Sequence, residues 1–137
     1  MLKISTKGQY ALLIMTELAE QDPEKYVPLK LLSHRHNLSV KYLEQIVAPL
    51  NKAGFLTSMR GNSGGHKLAV LPKDCKVGDI LRVMEGNLSP VECVSSGEIE
   101  CPLAESCATV TFWKGLDDVV NNYIDSYTLE DLLPKHE

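Results

Sequence analysis

Three cysteines, Cys93, Cys101 and Cys107, stand at C-x7-C-x5-C spacing in the stretch CVSSGEIECPLAESC. The stretch is polar, carries a glycine and a proline, and has little with which to pack itself. Thiolates are soft ligands, so a group of them suits an iron–sulfur cluster, zinc or copper(I). Such a group would order the segment, because binding free energy becomes folding free energy when the ligands are otherwise mobile. The spacing alone fits a redox-sensing thiol set or three inert cysteines as well. Cys75 lies eighteen residues before Cys93 and reads as a lone, half-buried thiol.

A second set of residues suits contact with an anion. In SVKYLEQIVAPLNK, Leu43, Ile46, Val47 and Leu50 recur at three- and four-residue steps and define one buried helical face. Ser39 is placed to cap the helix. The opposite face carries Lys41, Tyr42, Glu44 and Gln45, which can bond base edges and phosphates. Near the start of the chain, Lys7 and Tyr10 fall at the beginning of another helix, where a phosphate could dock. Further on, RGNSGGHK places Arg60, His66 and Lys67 at the shoulders of a glycine-rich tip comprising Gly61, Asn62, Ser63, Gly64 and Gly65. Backbone amides of such a tip can approach phosphates closely, and one arginine can enter a narrow minor groove.

The elements that must position these residues follow from periodicity. Residues 5–20 read as a helix with Tyr10, Leu13, Ile14 and Leu18 at helical spacing. Pro28 can open a short second helix that Asn37 ends, and about three residues separate it from the Ser39 helix. His34 and His36 read as surface residues of that second helix rather than ligands. Helix, short turn and helix make a helix-turn-helix pattern. Pro49 predicts a kink or an early end near Ala48, because an interior proline removes a backbone bond. FLTSM and KLAVL then flank the glycine-rich tip as the arms of a β-hairpin. In VGDILRVMEG, Val77, Ile80, Leu81 and Met84 point inward and Gly86 closes the helix. Residues 109–127 read as one long helix whose Phe112, Leu116, Val119 and Tyr123 form a seam, to be buried against a second copy or, alternatively, against its own domain.

The net charge of −4 over 137 residues hides a division. Residues 1–73 carry ten Lys or Arg against five Asp or Glu, whereas residues 74–137 carry four against thirteen. The basic half suits an anionic partner and the acidic half does not. No apolar run reaches the roughly 18 residues of a membrane span, and the LLIM run is too short for a signal peptide. The chain is therefore expected to be cytoplasmic, with its four cysteines as thiols or ligands rather than disulfides. Nor does it offer a nucleophile–base–acid set or a phosphate loop, so an enzyme is not expected. The expected architecture is mainly α with a small β-wing. A winged helix-turn-helix DNA-binding domain covers 1–73, a connecting helix and cysteine loop 74–108, and a dimerisation helix with an acidic tail 109–137.

YLEQIVAPLNKAGFLTSMRGNSGGHKLA resembles the signature of the IscR-like regulators, winged-helix repressors of bacteria, and STKGQYALLIM resembles their first helix. The resemblance implies a dimeric, sequence-specific regulator bound to double-stranded promoter DNA. It further implies an iron–sulfur cluster on Cys93, Cys101 and Cys107, 2Fe–2S ahead of 4Fe–4S, and control of cluster-assembly genes, with a cluster-donor or regulatory protein as a further partner. Other members resemble cofactor-free or partner-controlled repressors of cysteine metabolism, or sensors of nitric oxide or iron. Two positions depart from the pattern. His66 stands where the family usually has tyrosine, and Val110 where many cluster-binding members have a histidine, so a fourth ligand must come from elsewhere.

Overall fold

The computed structural model describes residues 3–90 and 108–134, so the Cys93–Cys107 stretch lies outside the described residues. Helix α1 spans Thr6–Glu20, α2 Leu29–His36 and α3 Val40–Lys52. Strands β1 (Leu56–Met59) and β2 (Gly65–Leu68) follow, then a 3-10 turn at Pro72–Asp74 and α4 at Val77–Glu85. Helix α5 covers Val110–Asp125 and the short α6 covers Leu129–Leu132.

Each of the first three helices is bounded by its own chemistry. Ser5 caps α1, its hydroxyl accepting from the Gly8 amide at 3.1 Å. Asn37 ends α2 in the left-handed conformation (φ 53°), which asparagine tolerates better than most residues. Ser39 caps α3, accepting from the Tyr42 amide at 3.0 Å. The early end near Ala48 that Pro49 suggested does not occur: α3 runs on to Lys52 with the proline inside it. Leu50, beyond the proline, is fully buried, and the Ala53 amide donates to the Pro49 carbonyl at 3.0 Å, so packing holds the last turn in register. Gly54 (φ 88°) then closes the helix in a Schellman turn, with Phe55 N–H donating to Leu50 O and Gly54 N–H to Asn51 O.

The main core gathers Ala11, Ile14, Met15 and Leu18 of α1 with Leu32 of α2 and Leu43, Ile46, Val47 and Leu50 of α3. Leu13, expected on the buried face of α1, is instead nearly half exposed, because Ala11 and Met15 turn inward beside Ile14. Cys75, Ile80 and Leu129 complete this core, so it draws on chain well beyond residue 73. The acidic tail docks: Leu129 N–H donates to Cys75 O and Val77 N–H to Tyr127 O, each at 2.9 Å. Cys75 is wholly rather than half buried, and burial, with Asp79 nearby, pushes its thiol up to about 11. That thiol is inert at neutral pH.

Strands β1 and β2 pair antiparallel, with Leu56 opposite Leu68 and Met59 opposite Gly65. Val27, just before α2, adds to the outer edge through two hydrogen bonds with His66 of 2.8 and 2.9 Å. The hairpin is thereby fixed to the start of the helix-turn-helix rather than left to hang free.

Candidate nucleic-acid interface

On α3, Lys41, Glu44 and Gln45 are exposed while Leu43, Ile46, Val47 and Leu50 are buried. The polar face is thus presented outward by a helix whose other face is locked into the core. Tyr42 is only partly exposed; its ring meets Tyr10 of α1 edge-on at 6.2 Å between centroids. Tyr10 and Tyr42, singled out separately in the sequence, are therefore one packed pair joining α1 to α3.

The N-terminus of α1 is occupied. Glu85, at the end of α4, accepts from Ser5 N–H at 2.9 Å and from Ser5 Oγ at 2.5 Å. Gly8 leaves the space for that carboxylate, since a Cβ there would lie 2.2 Å from Glu85 Oε1. A phosphate seeking this helix end would meet a carboxylate already in place, while exposed Lys7 stands clear beside it. The Ser5–Glu85 contact spans 80 residues and carries no signal in the sequence.

In the wing, Arg60, Gly61, Asn62 and Ser63 are exposed at the tip. Gly64 and Gly65 serve a different purpose. A Cβ on Gly64 would fall 2.1 Å from Met59 O, and one on Gly65 2.3 Å from Val27 C and O. Gly65 also holds φ 147°, so these two glycines close the hairpin and seat it on Val27. His66 turns its ring toward α3, where its Nδ1 lies 3.2 Å from the Asn51 amide nitrogen. Burial lowers its pKa, so the ring is neutral at pH 7. Sequence reasoning missed Asn51, which joins α3 to the wing.

The two histidines of α2 divide. His34 is exposed, whereas His36, with Arg35, grips Glu17 of α1, Arg35 at 2.5 Å. Burial would raise the Glu17 carboxyl, and its hydrogen bonds to His36 and Arg35 outweigh that to hold it below the usual range. Among the described residues, no cluster of His, Cys, Asp or Glu is arranged to hold a metal, and no helix is long and apolar enough to cross a membrane.

On α5 the expected seam is partly open: Phe112, Val119 and Tyr123 are 66%, 65% and 63% exposed, and Leu116 is half-buried. A helix-turn-helix whose second helix offers a polar face, followed at once by a β-hairpin, defines a winged-helix DNA-binding protein. The chain belongs to the Rrf2 family, described as iron-dependent transcriptional regulator, which it matches over residues 4–135. It is 44% identical over 131 residues to the transcriptional regulator CymR of Bacillus subtilis, covering 96% of this chain and 89% of that protein. With the regulator IscR of Vibrio atlanticus it shares 31% over 136 residues, covering 99% and 78%. The solved structure of CymR, the global cysteine regulator of B. subtilis, superposes with a TM-score of 0.78 at 45% identity, covering 96% of each chain. The relatives are transcriptional regulators, not enzymes.

Proposed function

We propose that this chain is a dimeric, sequence-specific transcription regulator of cysteine metabolism, either cofactor-free or controlled by a partner protein. The observation that carries the reading is the 44% identity to CymR across 96% of the chain, against 31% to IscR. DNA is met by α3 in the major groove through Lys41, Glu44 and Gln45, supported by Ser39 and by the Tyr10–Tyr42 pair. Arg60, Gly61, Asn62 and Ser63 of the wing reach the adjacent minor groove or backbone, and Lys7 meets a phosphate. Gly64, Gly65 and His66 shape the wing from behind. The stripe on α5 pairs with a second copy, so that two reading helices face half-sites about 34–36 Å apart.

A second reading is favoured by Cys93, Cys101 and Cys107. Three thiolates suit an iron–sulfur cluster, which would make DNA binding sensitive to the cluster's state. The fourth position does not come from residue 110: Val110 is aliphatic and buried. The two readings separate in one experiment. Protein purified without oxygen is assayed for iron, for visible absorbance and for binding to promoters of cysteine-metabolism genes. Colourless, iron-free protein that binds those promoters supports the first reading. Brown protein that loses its chromophore on replacing any of Cys93, Cys101 or Cys107 by Ala, but not on Cys75→Ala, supports the second and overturns the first. Loss of the chromophore on Cys75→Ala alone means that the ligands have been wrongly assigned.

A further inference from the structure

Among the described residues, a chain of polar contacts ties helix α5 to α4 and to Ser89. Arg82 of α4 grips Asp125 with both arms, Nη1 to Oδ1 at 2.8 Å and Nη2 to Oδ2 at 2.9 Å. The same Nη2 donates to Asn121 Oδ1 at 2.8 Å. Asn121 in turn donates to the Asp117 carbonyl at 2.9 Å, and the buried Asp117 carboxylate accepts from Ser89 Oγ at 2.7 Å. On the apolar side, Ile124 packs with the small cluster of Val77, Leu81 and Leu88.

Gly78 is the second observation. It lies in the first turn of α4 without a positive φ, where alanine would make the better helix. Its reason is across the interface: a Cβ would come within 2.1 Å of Asp125 Oδ1 and 3.0 Å of both Arg82 Nη1 and Ile124 Cγ1. The missing side chain is the seat of the Asp125 carboxylate.

We propose that Arg82, seated by Gly78, is a positioning residue that sets the tilt of α5 on the reading head and so selects the half-site spacing on DNA. The inference rests on the reading of α5 as the dimer helix. A guanidinium held side-on by a carboxylate fixes orientation as well as distance, which a single ammonium would not. The pair is only partly exposed, so its value lies in geometry more than in strength. The anchors Asn121 and Asp125 lie at one end of a helix about 24 Å long; a tilt of about 10° there moves the other end by about 4 Å. That shift is on the scale of one base-pair rise of about 3.4 Å, and the two-fold axis doubles it to about two.

The test uses full-length protein and an operator selected by the wild-type protein from random duplex DNA. Duplexes carry the two half-sites at the selected spacing, at spacings one and two base pairs longer or shorter, and as one isolated half-site. Arg82→Ala, Arg82→Lys and Gly78→Ala should remain dimeric in sedimentation and bind the isolated half-site as wild type does. Their preference for the selected spacing should fall tenfold or more. Where a variant fails to fold, Asp125→Asn, which keeps the side chain's size, carries the same expectation. Folded, dimeric variants that keep the wild-type ratio between spacings overturn the proposal, with or without a uniform loss of affinity. A wild-type protein that sediments as a monomer overturns the dimer reading and this inference together.

Discussion

Glu44 and Arg60 sit on the same proposed surface and should fail in different ways. Glu44 is an exposed carboxylate on the polar face of α3, where it can accept from a cytosine amino group but repels phosphate. Glu44→Ala should therefore relax sequence preference, by about 1–3 kcal/mol at one base pair, more than it weakens binding. A titration against a panel of single-base operator variants reads this; uniform loss across the panel would assign Glu44 to the fold. Arg60 is exposed at the wing tip, so Arg60→Ala should lower the salt dependence of binding by about one unit. An unchanged slope and affinity take the wing off the DNA. His66 makes a pH prediction. Its pKa is lowered from 6.5 in the folded chain, so the unfolded chain binds more protons below that pH. Its contribution to stability is complete above pH 6.5 and is lost as pH falls through the lower folded value. Denaturant curves of wild type and His66→Tyr should diverge from about pH 6.5 downward, and parallel curves would refute a neutral, buried ring. The exposed members of this set could be named from the sequence because amphipathic spacing shows which face a residue occupies. That His66 turns inward to Asn51 could not, since the partner lies on another element.

At the scale of elements, what was legible was local and what was not was tertiary. Capping by Ser39, the left-handed Asn37 and the glycine after α3 follow from backbone chemistry within a few residues. That α3 continues past Pro49 was not legible for the opposite reason: burial of Leu50 and the Schellman closure lie outside the proline's own turn. Leu13 likewise fits the helical period and is exposed, because Ala11 and Met15, with Ile14, take the buried face of α1. The glycine-rich tip marked a hairpin, but periodicity did not distinguish glycines that free the loop from glycines that seat it. Gly65 belongs to the second kind. Gly65→Ala combines φ 147° with a Cβ 2.3 Å from the Val27 backbone, so neither a rotamer nor a side-chain shift relieves it. Destabilisation of about 2–3 kcal/mol is expected, together with loss of DNA affinity as the wing detaches from Val27. Urea denaturation checks the first and operator titration the second. An alanine variant of wild-type stability would mean that the wing is not held where the structure places it.

At the scale of the whole molecule, charge and exposed surface point the same way. The basic first half carries α3 and the wing, and the acidic second half carries α5, whose outer stripe lies away from the main core. Phe112, Val119 and Tyr123, each about two-thirds exposed, recur along one side of α5, and exposed apolar side chains gathered in this way suit a protein–protein contact such as the proposed dimer. The core does not depend on this row: Leu129 and Cys75 close it from behind, and α5 buries only Val110 and Asp117. Stability and dimerisation should therefore come apart. Val119→Asp places a charge in the middle of the proposed interface, on a residue 65% exposed in the single chain. Its cost to the fold of one subunit should be within about 0.5 kcal/mol, as for other surface substitutions. Its cost to the dimer is burial of an unpaired carboxylate on each side of the two-fold axis, enough to abolish it. The variant should sediment as a monomer, keep its helical circular dichroism, and bind an operator no better than it binds one half-site. A Val119→Asp protein that remains a dimer of undiminished operator affinity would remove α5 from the interface and leave the spacing of the reading heads to some other surface.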